Sequence, residues 1–99
     1  MNRNQMYQYL KEIGLYPVMH RRGPKKKHRM YHIEFVPDKN KNHRISHILT
    51  DWGYIEGFEH IHLYANEVAL ESNYEFCKIN INYKDIEKFE VVIFDEDEE

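Results

Sequence analysis

Residues 58–94, FEHIHLYANEVALESNYEFCKININYKDIEKFEVVIF, hold most of the strand-like sequence of this 99-residue chain. Ile61 and Leu63 alternate with His60, His62 and Tyr64. That period of two belongs to a strand with one covered face. Ala65-Asn66 breaks the pattern, and Val68 and Leu70 then alternate with Glu67, Ala69 and Glu71. Ser72-Asn73 is a polar connector of a kind that bonds to its own backbone in turns. From Tyr74 to Asn82 the alternation resumes, with Cys77, Ile79 and Ile81 on one side and Lys78, Asn80 and Asn82 on the other. Residues 67–71 and 74–82 therefore read as a hairpin, and Cys77 as a small buried hydrophobe. Residues 82–87 interrupt the strands with one helical or tight turn that carries Ile86 inward. Phe89, Val91 and Ile93 then open a last strand with apolar residues on both faces, which fits a central or covered position.

Working outward, Asn4 to Ile13 gives the best helix. Met6, Leu10 and Ile13 make its apolar stripe, Asn2 or Asn4 can cap its start, and Gly14 stands just past its end. Leu15 to Met19 reads as a short strand, kept at a sheet edge by Pro17. Residues 20–29, HRRGPKKKHR, read as an exposed basic loop. Met30 to Val36 reads as a strand stopped by Pro37. Residues 44–50 fit either a strand, with Ile45, His47 and Leu49 on one side, or a helix, with Ile45, Ile48 and Leu49 together. Asp51 to Gly57 is an aromatic-rich segment between glycines, a short strand or a structured loop. Trp52 within it reads as a buried anchor first and an exposed contact residue second.

The fold expected is a single α+β domain over residues 1–94. Its N-terminal helix packs on a strongly curved antiparallel sheet, or small barrel, of about five strands. The acidic run Asp95 to Glu99 is expected to be a disordered tail. The core is expected to contain Met6, Leu10, Ile33, Phe35, Ile48, Ile61, Leu63, Val68, Leu70, Cys77, Ile79, Ile81, Ile86, Val91 and Ile93. Hydrophobic residues are 41% of the chain, too many for a disordered composition. A single cysteine excludes an intrachain disulfide and fits a reducing, cytoplasmic setting. No apolar run approaches the length of a signal peptide or a membrane span, so no membrane association is expected.

The net charge of −3 hides a division. Residues 1–50 carry eleven Lys/Arg and three Asp/Glu, whereas residues 51–99 carry three and fourteen. No glycine-rich phosphate loop is present, and neither serine stands in a nucleophile motif. Seven histidines are many for this length. His60 and His62 share one strand face, His28/His32 and His43/His47 are each four apart, and Glu34, Asp51 and Glu59 supply carboxylates. No H-E-x-x-H or Cys/His zinc spacing accompanies them, so no metal, cofactor or catalytic site is expected.

Two binding classes remain. The first is a non-enzymatic protein-interaction module or small inhibitor with an acidic, tyrosine-rich surface, using Trp52, Tyr54, Glu56, Glu59 and Tyr64. The alternative is a nucleic-acid-binding protein. There Arg21, Arg22, Lys25, Lys26, Lys27 and Arg29 would neutralise phosphates and Tyr31 would stack on a base. A homodimer is also expected to be accessible, through an unprotected edge at the 30–36 strand.

Overall fold

A computed structural model describes residues 1–22, 29–38, 40, 43–72 and 77–95. One helix precedes eight strands in two open antiparallel sheets, an α+β architecture. The strands are β1 (Tyr16–Arg22), β2 (Arg29–Val36), β3 (His43–Thr50), β4 (Gly53–Glu56), β5 (His60–Leu63), β6 (Glu67–Glu71), β7 (Lys78–Asn82) and β8 (Phe89–Asp95). The larger sheet runs β1-β2-β5-β6-β7 and the smaller β4-β3-β8. Neither sheet closes into a barrel.

Helix α1 (Arg3–Glu12) begins at a capping box. The Asn2 side chain accepts from Gln5 N at 2.9 Å, and the Gln5 side chain accepts from Asn2 N at 2.8 Å. It ends at Gly14, whose φ of 99° is open to glycine at little cost. Met6 and Leu10 are fully buried. Tyr7 meets Phe35 of the larger sheet edge-on at 5.5 Å, while the Tyr9 hydroxyl accepts from Val91 N of the smaller sheet at 2.8 Å. The helix thus joins both sheets to one core. Ile33, Phe35, Ile61, Leu63, Val68 and Leu70 come from the larger sheet, and Ile45, Ile48, Phe89 and Val91 from the smaller.

Local chemistry accounts for most of the joints. Asp51 accepts from the backbone of Glu87 and Lys88, at 2.7 Å each, and so ties the β3–β4 turn to the approach of β8. A 3-10 turn at Tyr83–Asp85, capped by Asn82, sends Ile86 into the core. The Tyr83 hydroxyl donates to Tyr64 O at 2.8 Å. Its burial pushes its pKa up to about 12, so it stays protonated.

Several expectations need correction. Residues 44–50 are strand, and a bulge between Ile45 and His47 resets the side-chain parity. Ile45 and Ile48 therefore both point inward, which imitates helical spacing in the sequence. The basic loop is shorter than expected, because β1 and β2 extend through Arg22 and from Arg29. β2 lies between β1 and β5, and its Ile33–Phe35 segment is paired on both sides rather than forming an open edge. β8 is an edge strand rather than a central one, with Val92 and Ile93 half-buried and Phe94 exposed. Cys77 is exposed, because the ladder begins only at Lys78. Ile79 and Ile93 are only partly buried, and Leu15, Tyr83 and Phe89 join the core instead. Asp95 ends β8, and the tail expected beyond it lies outside the described residues. Among the described residues no helix is long and apolar enough to cross a membrane.

Candidate functional site

Two surfaces carry groups that the core does not account for. The first is a groove between the edges of the two sheets. β4 pairs only with β3, and β7 pairs only with β6, among the described residues. Between them runs a groove of about 420 Å3 lined by Trp52 and Ile55 on one side, and by Ile79, Asn80, Ile81, Asn82 and Asp85 on the other. Its apolar floor follows from strand periodicity. Ile79 and Ile81 face the core side of β7, while Ile55 is the one β4 residue that turns partly inward.

Trp52 stands at the rim in the two-residue turn between β3 and β4. The turn is fixed by Thr50, whose hydroxyl donates to Gly53 O at 3.2 Å and accepts from Trp52 N at 3.1 Å. Gly53 follows with φ 121°, a conformation that side chains disfavour. The indole is therefore held outward and is 58% exposed, which corrects the expectation of a buried anchor. Tyr54, 57% exposed, stacks on His47 with ring centroids 4.7 Å apart. Its hydroxyl donates to Glu56 at 3.0 Å, and that carboxylate pushes the phenol pKa up.

The second surface is the outer face of the larger sheet. Histidines from β1, β2 and β5 meet there around one carboxylate. His20 and His32 are cross-strand partners, as are Glu34 and His62. Glu34 receives His20 Nε2 on one oxygen at 2.8 Å and His60 Nδ1 on the other at 2.6 Å. His62 Nδ1 lies 3.0 Å from His32 Nε2. Tyr64 lies over His32 at 4.8 Å, and its hydroxyl accepts from Lys78 Nζ at 3.1 Å. Ala69 stands opposite His62 in the ladder. Burial, aided by repulsion from His62 and His20, lowers the His32 pKa to about 4. Burial also lowers that of His62, against the pull of Glu34 and Glu71. Both are neutral at pH 7. For Glu34, burial works to raise the pKa, but the hydrogen bonds from His60 and His20 and the field of His62 together bring it down.

The residues expected in the interaction surface thus divide. Trp52, Tyr54 and Glu56 share the β3–β4 hairpin. Tyr64 belongs to the histidine face, and Glu59 extends the β5–β6 ladder through its N–H to Glu71 O at 3.2 Å. Of the expected phosphate-binding set, Arg21 and Arg22 end β1, and Arg29 and Tyr31 begin β2. Lys25, Lys26 and Lys27 lie outside the described residues. The sequence reading missed the convergence of His20, His32 and Glu34 on His60 and His62. Only the long-range pairing of β2 with β5 brings them together.

Comparison with known proteins is silent: no family model, no curated protein and no solved structure matches this chain.

Proposed function

We propose that this chain is a protein-interaction module that takes up an extended segment of a partner in the groove between β4 and β7. The observation that carries the reading is an apolar groove bounded on both sides by strands that, among the described residues, have an unpaired edge. Such edges offer unpaired N–H and C=O groups, so a guest strand gains main-chain hydrogen bonds while alternate side chains fill the floor. Ile55, Ile79 and Ile81 would receive apolar side chains, and the exposed Trp52 would close over them. Asp85 in the groove lining and Glu56 on the neighbouring β4 are exposed carboxylates. The guest is therefore a segment that alternates apolar with basic residues, since matched charge favours encounter and register.

Selection from a displayed library of random extended peptides tests this. The expected winners alternate apolar with Lys or Arg and bind saturably. Trp52→Ala is expected to weaken them by about 10- to 100-fold, as loss of a central aromatic anchor does. The substitution is at an exposed turn, so stability should change by less than about 0.5 kcal/mol. Peptides that bind the Trp52→Ala protein equally well would sink the reading.

A second reading rests on the β1–β2 hairpin, where Arg21 and Arg22 lie opposite Met30 and Arg29. Three arginines at one hairpin end favour a phosphate ligand. Anisotropy of labelled single-stranded RNA and DNA checks it, with binding expected to fall steeply between about 50 and 200 mM salt.

A further inference from the structure

We propose that Asp51 is the positioning residue of the β4–β7 groove: its carboxylate clasps the two walls together and sets the width open to a guest strand. The inference rests on the reading of the groove as the binding site and deepens it.

The clasp joins two short stretches of chain. Asp51 directly precedes Trp52, the rim residue of one wall, and Glu87 comes two residues after Asp85 of the other. Asp51 Oδ2 accepts from Glu87 N at 2.7 Å, and Oδ1 accepts from Lys88 N at 2.7 Å. Both oxygens are engaged by consecutive N–H groups, which fixes the orientation of the contact as well as its distance. Hydrogen bonds to a carboxylate are roughly twice as strong as those between neutral groups.

Little else holds the Trp52 wall in place. β4 is four residues long and pairs only with β3 among the described residues. Gly53, Tyr54 and Glu56 are exposed, and Ile55 alone packs against the core. Arms with so few buried contacts open at low cost. The Thr50 hydroxyl shapes the turn around Trp52 from within, but it does not tie that turn to the opposite wall. The opposite wall is firmer. Ile81, Tyr83 and Ile86 are buried there, and Asn82 caps the 3-10 turn between them. Asp51 thus fastens a loosely held wall to a firmly held one. Held at one width, the groove admits apolar side chains up to a limiting size, and Trp52 is set over its floor before the guest arrives. Without the clasp the guest must order the arm itself, which weakens binding.

The test uses the full chain. Trp52 is its one tryptophan and Cys77 its one cysteine. Cys77 is exposed and stands one residue before β7. Energy transfer from the indole to a dye on Cys77 therefore reports the gap between the walls. Asp51→Ala is expected to lower the transfer and to broaden the spread of donor lifetimes. Asp51→Asn, which keeps one accepting oxygen, should lie between. Peptides selected on the wild type should bind Asp51→Ala about 10-fold more weakly. A fresh selection on Asp51→Ala should return bulkier apolar residues, a change that lost stability alone does not produce. In the wild type the amides of Glu87 and Lys88 should exchange slowly although both residues are exposed, a result that needs no variant. Fast exchange there, unchanged transfer in Asp51→Ala, or the same peptides selected by both proteins would overturn the proposal. A wild-type selection that returns no peptide would overturn the groove reading itself, and the energy transfer then decides whether the clasp stands.

Discussion

Phe35→Ala is expected to remove about 3–5 kcal/mol of stability, the usual range for a large aromatic lost from a core. Phe35 is fully buried. It stands on β2 between Pro17 of β1 and Ile61 of β5, and it takes the edge of the Tyr7 ring from above. It therefore touches the helix and the centre of the larger sheet at once. Collapse around the void is opposed on two sides, because both flanking strands are held in the ladder. Domains of this size are stable by only about 5–15 kcal/mol, so the variant sits near the limit of folding. Urea unfolding of wild type and variant measures the loss. Phe94→Ala is the control. Phe94 is 43% exposed, with Arg44 over its ring at 4.9 Å, and its truncation should cost less than about 1 kcal/mol. Equal losses at the two positions would contradict the assignment of the core.

Acid is expected to destabilise the protein well before its surface carboxylates titrate. The pKa of His32 falls from 6.5 in the unfolded chain to about 4 in the folded one, and that of His62 falls as well. Groups with a depressed folded pKa favour folding fully above the unfolded value. Below about pH 6.5 the unfolded chain takes up protons that the folded chain refuses, so stability declines until the folded pKa is passed. Glu34 adds a loss in the same direction at lower pH, because its folded pKa is also depressed. Moving from pH 7 to pH 4.5 should cost roughly 2 kcal/mol from His32, and His62 adds a loss in the same direction. Urea midpoints measured across that range should fall. His32→Gln, which cannot titrate, should flatten the fall. A wild-type midpoint that is level between pH 7 and 4.5 would show that the cluster is not buried as described.

The sequence disclosed what depends on local pattern. Alternation across 61–63, 67–71 and 74–82 marked three neighbouring strands of the larger sheet, β5, β6 and the edge strand β7, and the 3.6-residue stripe with its asparagine cap marked α1. It failed where a local exception imitates another element. The bulge after Ile45 gave β3 an i, i+3 spacing, so strand and helix looked alike. It failed again at Trp52, where hydrophobicity argued for burial. The Thr50 hydroxyl and the positive φ of Gly53 turn the side chain out, and no hydropathy pattern encodes that. The histidine face was legible only in part. His60 and His62 share a side by simple parity. Their meeting with His32 and Glu34 depends on β2 skipping over β3 and β4 to pair with β5. The same topology leaves β4 and β7 with free edges and creates the groove. Trp52, Tyr54 and Glu56 were singled out from composition, but Ile79 and Ile81 were read as core residues only.

Amide hydrogen exchange of the protein with and without a selected peptide tests the central claim most directly. Guest-strand pairing predicts that the peptide slows exchange at the edge-facing amides of Lys78–Asn82 or of Gly53–Glu56. The amides of β1 at the far edge should exchange as before. Protection confined to β1 or to the histidine face, or no protection at saturating peptide, would contradict it.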